Sequence, residues 1–226
     1  MTIRALIFDV DGTLAETEEV HRAAFNRAFA EAGLDWHWDQ PLYGRLLKVS
    51  GGKERLRAYA RETGQAVASD LDRLVAGLHR RKTAFYTAMV AAGEVGLRPG
   101  IARLLEEARA AAVTLAIATT TTRDNVLALL AANGIDANWF ATLACADDAP
   151  VKKPDPQVYR LVLDRLGLAA GECLAIEDSA NGVAAAVAAG IAVIMTPSAY
   201  TGADARQGAR AVWPDLATVG LVELIG

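Results

Sequence analysis

The chain is short of cysteine, with two in 226 residues, Cys145 and Cys173. Neither has a CxxC partner or a nearby histidine set, which argues against a disulfide framework or a thiolate metal site and leaves two reduced thiols among apolar neighbours. There is no basic run, and the net charge is −4. The electrostatic footprint of a nucleic-acid binder is therefore missing, although a small anionic substrate needs only local positive charge. No apolar stretch reaches the roughly 20 residues that span a bilayer. Asp9 and Asp11 interrupt the apolar run near the start, so no secretory signal is expected and cytoplasmic residence is the default. Internal repeats and low-complexity linkers are also absent. What remains, 53% hydrophobic and 22% charged residues, is the composition of a soluble globular protein.

Ile3 to Val10 reads IRALIFDV and runs into Asp-Gly, as a buried parallel strand does before its loop. From about Glu16 to Met89 helical periodicity takes over, with segments expected near 16–32, 53–62 and 70–91 and no strand. Gly33, Pro41, Gly51-Gly52 and Gly64 punctuate this region. After Gly96 strand and helix alternate. Pro99 suits a first helical turn. Strands are expected at 113–118, 142–146, 174–176 and 192–195, and helices at 123–132, from Pro156 with Asp155 as candidate N-cap, and at 180–189. The pattern predicts an α/β fold. A Rossmann-like parallel-sheet core would be formed by residues 1–15 and 93–226, with a helical cap, residues 16–92, inserted after the first strand. Such an insert leaves from the carboxyl edge of the sheet, where open α/β sheets bind ligands, and is placed to act as a lid.

Asp9-Val10-Asp11-Gly12 closes the first strand. Two carboxylates this close repel unless a cation or shared proton intervenes, and hard oxygen ligands suit Mg²⁺. One carboxylate can attack phosphorus while the other moves a proton; the plainer alternative is a polar strand-end turn. Thr119 opens a run of four threonines at a strand end, where hydroxyls and the following N–H groups, including those of Thr120 and Thr121, can hold phosphate oxygens. Lys153 would bring an ammonium to the nucleophile and the transition-state charge, or else be solvated surface. Asp178 follows an apolar strand and would complete the metal shell with Glu177 in or beside it, unless Asp178 caps the next helix, a role Ser179 could equally fill.

DVDGTL at 9–14, the strand ending in Thr119, Lys153-Pro154 and Glu177-Asp178 come in the order and context of the four motifs of the haloacid dehalogenase superfamily. The resemblance spans the whole core. It implies a phosphohydrolase in which Asp9 attacks the phosphoryl group, Asp11 protonates the leaving oxygen and then activates water, and Mg²⁺ is held by Asp9, the main-chain carbonyl of Asp11, and Asp178.

Residues 7–56, including AETEEVHRAAFNRAFAEAGLDWHWD and SGGKERL, resemble CbbY proteins more closely. This implies a xylulose-1,5-bisphosphate phosphatase, clearing a misfire product of Rubisco and thus serving the Calvin cycle. Glu16 and His21 follow the catalytic loop closely enough to reach the active-site mouth and contact sugar hydroxyls or, for His21, relay a proton. Gly51, Gly52, Lys53 and Arg55 are a candidate clamp for a distal phosphate, and Arg123 a further anion contact. Trp36 and Trp38 read as cap packing, and His79 as solvated helix surface. The alternatives are a β-phosphoglucomutase-type mutase, a phosphoglycolate or broad sugar-phosphate phosphatase, a dehalogenase, and an idle protein that kept the fold. A monomer acting on a small sugar phosphate, with no nucleic-acid or membrane partner, is expected.

Overall fold

The computed structural model describes residues 2–64 and 70–226. In chain order the elements are β1 (Ala5–Phe8), α1 (Glu18–Glu31), α2 (Gln40–Leu46), α3 (Gly52–Glu62), α4 (Leu71–Ala91), α5 (Ile101–Ala110), β2 (Thr114–Ala118) and α6 (Arg123–Ala132). These are followed by β3 (Phe140–Ala144), α7 (Gln157–Leu166), β4 (Cys173–Glu177), α8 (Ala180–Ala188), β5 (Ala192–Met195), β6 (Ala211–Val212) and α9 (Leu221–Ile225).

The strands form one parallel sheet in the order β3-β2-β1-β4-β5-β6. β1 lies between β2 and β4, so the chain reverses its direction of winding there. A crevice opens at such a switch point beyond the carboxyl ends of the strands. Every residue of β1 is buried. Alternate side chains leave opposite faces of a strand. Leu6 and Phe8 enter a core shared with α5, α6, α9 and parts of α1 and α4, whereas Ala5 and Ile7 enter one closed by α7 and α8. That two-sided burial is why ALIF, residues 5–8, reads as an unbroken apolar run.

The helices between β1 and α5 gather a third core of their own. Phe25 and Phe29 of α1 meet Trp36, Trp38, Tyr43, Leu56 and Leu78 there. Trp38 is fully buried and its ring lies 4.9 Å from Phe29 and 4.7 Å from Phe25. α1 packs along α4, and both reach the sheet core through Val20, Ala24, Tyr86 and Val90. The two connections to the sheet meet each other, with Ala15 bridged to Leu97 and the Arg98 N–H donating to Leu14 O at 2.8 Å.

Three local differences from the sequence reading have physical causes. Pro41 does not merely punctuate. Asp39 caps α2 by accepting from Leu42 N, and Pro41 occupies its first turn, where a missing N–H is tolerated. β3 begins and ends two residues earlier than 142–146, because the Asp148 carboxylate accepts from Cys145 N and turns the chain there. Asp155 receives the Gln157 N–H from two positions ahead of the helix, and Pro156, not Asp155, is the cap residue from which α7 starts. No helix among the described residues is long and apolar enough to cross a membrane.

Candidate active site

The register of the sheet brings the acidic residues together. Phe8 is level with Ile117 on β2 and with Ile176 on β4. Asp9, donating its N–H to Ile176 O at 3.0 Å, therefore stands between the ends of those two strands. Thr119 leaves the end of β2, and Glu177 and Asp178 the end of β4. Ser179 accepts from Gly182 N and caps α8, which frees Asp178 from that task.

Lys153 comes from the loop before α7 and ties the three strand ends into one network. Its Nζ donates to Asp9 Oδ1 at 2.7 Å, to Ala118 O at 2.8 Å and to Glu177 Oε1 at 2.6 Å. The lysine is buried, and burial works against its charge. Asp9 and Glu177 outweigh that and hold the ammonium above its ordinary range. Burial pushes the Asp9 carboxyl up to about 8; Lys153 opposes the rise, and Glu177 and Asp11 add to it. Asp178 is likewise held well above the usual carboxylate range by burial and by the charges of Asp9 and Glu177.

Asp11 faces a different environment. Burial would raise its carboxyl too, but His21 and Thr17 bring it below the ordinary value. The Thr17 hydroxyl donates to Asp11 Oδ1 at 2.6 Å, and His21 Nε2 lies 2.9 Å from the same oxygen. His21 Nδ1 is 2.5 Å from Lys82 Nζ, and the imidazole stacks on Tyr86 with centroids 4.1 Å apart. A charged Lys82 can only donate, which places the imidazole proton on Nε2, toward Asp11. Burial pulls Lys82 down to about 7, against the attraction of Asp11 and Glu18.

These groups open on a cavity of about 590 Å³ between the sheet edge and α1–α4. Asp9, Asp11, Thr119, Lys153 and Asp178 line it, as do His21, Thr120, Thr121, Gly51, Gly52 and Arg55. Within the threonine loop, Thr121 N donates to Thr119 Oγ1 at 3.2 Å, and Asn125 holds the Thr121 hydroxyl.

Three expected site residues, Glu16, Arg123 and Lys53, are placed elsewhere, while Glu177 stays in the acidic cluster. Glu16 turns away to pair with Arg98 at 3.2 Å. Arg123 binds Leu143 O and Asp148, anchoring β3 instead of facing an anion. Lys53 is outside the cavity lining. Glu177 lies beneath the cavity wall, its Oε1 taken by Lys153 and by the Tyr159 hydroxyl at 2.5 Å. Arg55 does line the cavity, with two of its five N–H groups donating to Leu46 O and to the Tyr43 hydroxyl.

Other residues reach the cavity without having been anticipated there. His79 is no solvated surface residue: it lines the cavity beside Gly52, and burial, Lys82 and Lys53 push it down to about 3. Lys82 had a sequence signal. The buried stripe of α4 runs Leu71, Val75, Leu78, Lys82, Tyr86, Met89, and a lysine in an apolar stripe is rarely solvated surface. Lys48 and Asn181, also at the cavity, carried no such mark, and neither did Thr17, which reaches Asp11 from outside the lining.

The acidic cluster fits a divalent cation. Carboxylate oxygens of Asp9, Glu177 and Asp178 lie within 4.8 Å of one another, all three residues are buried, and Lys153 supplies a single positive charge against them. Glu177 Oε2 has no hydrogen-bond partner among the described residues. Hard oxygen donors with surplus negative charge are what Mg²⁺ selects.

Comparison with known proteins gives the same constellation a lineage. The profile of haloacid dehalogenase-like hydrolases matches residues 3–190. The CbbY protein of Cupriavidus necator is 54% identical over 95% of this chain and 86% of its own length. The crystal structure of CbbY from Rhodobacter sphaeroides with phosphate is 43% identical and superposes with a TM-score of 0.91, covering 98% of this chain and 99% of that one. A mutant of that protein, solved with xylulose-(1,5)bisphosphate, matches equally well. With an aspartate pair closing β1, a lysine before α7 and an acidic pair closing β4, the chain belongs to the haloacid dehalogenase-like hydrolase family.

Proposed function

We propose that the protein is a magnesium-dependent sugar-phosphate phosphatase that works through an aspartyl phosphate on Asp9, with xylulose 1,5-bisphosphate or a closely related ketose bisphosphate as substrate. The observation that carries this reading is the contact between Lys153 and Asp9 at the floor of the cavity, with Asp11 on separate partners beside it. The substrate class rests on the likeness to the CbbY protein solved with xylulose-(1,5)bisphosphate.

Asp9 attacks phosphorus in line, and the bond from phosphorus to the sugar oxygen breaks as Asp11 passes its proton to that oxygen. Asp11, now a carboxylate, takes a proton from water as the water oxygen attacks the aspartyl phosphate. Asp9 is released as a free carboxylate together with inorganic phosphate. Support for this second half comes from Asp11 accepting from Thr17 and His21 as a carboxylate does. Lys153 opposes the pull of burial on Asp9, favouring its ionised form, and faces the charge that develops on the phosphoryl oxygens. Thr119 and the N–H groups of the loop after it bind those oxygens. Magnesium would be held by Asp9, Asp178 and the main-chain carbonyl of Asp11, with Glu177 beside them, and would neutralise phosphoryl charge in the transition state. The helices of residues 16–92 act as the lid that excludes bulk water.

The test is a phosphate-release screen over sugar mono- and bisphosphates, with and without Mg²⁺, on the wild type and on Asp9→Asn. The expected result is magnesium-dependent release, highest with ketose bisphosphates and lowered at least about 10³-fold by the substitution. Isomerised sugar phosphate in place of free phosphate would make the protein a mutase. Substantial turnover by Asp9→Asn would remove Asp9 as nucleophile.

A further inference from the structure

Lys153 has three N–H groups, and all are engaged, by Asp9, Ala118 O and Glu177. A phosphoryl oxygen arriving at Asp9 can bind this ammonium only if one of those bonds lets go. The bond to Asp9 is the one that weakens, because Asp9 loses its negative charge as it bonds to phosphorus. The other two must then keep Nζ where it is, and the one to a charged partner is the stronger.

What fixes that partner lies one layer further in. Glu177 is fully buried, and its Oε1 is shared between Lys153 and the hydroxyl of Tyr159 at 2.5 Å. The Tyr159 ring is itself fully buried on α7, with Lys153 Nζ 5.1 Å from its centroid. On the opposite side Glu177 Oε2 has no hydrogen-bond partner among the described residues and lies against Gly182. A Cβ at Gly182 would stand 1.9 Å from that oxygen and 2.1 Å from the carboxyl carbon. One hydroxyl and one missing side chain therefore determine how the Glu177 carboxylate is turned.

We propose that Tyr159 is a positioning residue for phosphoryl transfer: its hydroxyl locks the Glu177 carboxylate so that Glu177 holds the Lys153 ammonium at Asp9 when Asp9 gives up its own bond to it. This rests on the phosphatase reading above. The tyrosine itself lies outside the cavity lining and touches no substrate. Its effect belongs to the chemical step and not to substrate capture.

The test compares wild type, Tyr159→Phe and Gly182→Ala in steady-state turnover of a sugar bisphosphate with saturating Mg²⁺. A second readout is the ¹H–¹⁵N signal of the Lys153 ammonium in ¹⁵N-lysine-labelled protein without magnesium. Losing one hydrogen bond to a charged group predicts that Tyr159→Phe lowers kcat roughly ten- to a hundredfold with KM within about twofold. The Lys153 signal should move while the melting temperature stays within a few degrees. Gly182→Ala, which displaces the same carboxylate from its other side, should lower kcat in the same sense. A Tyr159→Phe enzyme with wild-type kcat overturns the role, whatever its melting temperature, and so does an unmoved Lys153 signal or a defect confined to KM. A wild type that releases phosphate from no ester sinks the phosphatase reading, whereas an active wild type matched by Tyr159→Phe sinks this inference alone.

Discussion

Asp178 occupies the space that a side chain on Gly12 would need: its Oδ2 lies 2.3 Å from the position of a Cβ there. Gly12 also has a φ of +78°, a region that L side chains rarely adopt. Two segments far apart in sequence thus touch through a missing methyl group. Gly12→Ala should destabilise the fold by about 1–3 kcal/mol through backbone strain alone. It should also move Asp178, so the Mg²⁺ concentration for half-maximal turnover should rise. Denaturant unfolding and a magnesium titration of activity measure the two effects separately, and a normal magnesium dependence would dissociate Gly12 from the metal site.

Lys82 makes stability depend on pH in a defined direction. Its folded value of about 7 lies below its ordinary 10.5. Between those values the unfolded chain binds the extra proton, so the penalty for burying this ammonium is complete below pH 7 and fades as pH rises toward 10.5. Lys82→Met should therefore gain most in melting temperature over wild type at pH 6, with the gain shrinking above pH 7. The same substitution removes the donor to His21 Nδ1 and should lower kcat. A melting-temperature difference that stays flat from pH 6 to 10 would contradict the assignment.

Glu16 and Arg98 should separate binding from stability. Glu16 faces Arg98 and not the cavity, so Glu16→Ala should leave KM within about twofold. Arg98 is buried and donates to four carbonyls, those of Gly12, Thr196, Pro197 and Pro214, besides pairing with Glu16. Arg98→Met leaves those carbonyls without a donor and should destabilise the protein by at least about 3 kcal/mol, read by chemical denaturation.

The distal phosphate of a bisphosphate has a candidate partner in Lys48, which lines the cavity, whereas Lys53 does not. Lys48→Ala should raise KM for a bisphosphate severalfold more than for the matching monophosphate, and Lys53→Ala should discriminate less. Competitive kinetics with the two esters decide this. If Lys53→Ala proves the more selective, the clamp is the loop at 51–55 after all.

The strand ending in Asp9 was readable because its signal is local. A parallel strand buried on both faces must be apolar at every position, and in an open α/β sheet ligands bind beyond the carboxyl ends of such strands. Thr119 and Glu177-Asp178 were readable for the same reason, each at or just beyond the end of an apolar strand, whereas Lys153, in the loop before α7, was readable only through the order of the motifs. Glu16 was not. It stands one residue from Thr17, both follow the same loop, and only the pairing of the two connections near Ala15 and Leu97 turns Thr17 toward Asp11 and Glu16 toward Arg98. Arg123 failed similarly: a charged residue opening a helix beside a phosphate loop carries no mark of which way its guanidinium will swing.

The amino-acid order alone determined the alternation of strands and helices, the place of the helical insert and the acidic pairs at the strand ends, because side-chain period and turn chemistry act within a few residues. Tertiary structure decided which charges meet. Lys153 finds Asp9 across 144 residues and Lys82 finds His21 across 61. Such pairs form only once packing has buried both partners, where an ion is stable only beside a counter-charge or a hydrogen-bond partner.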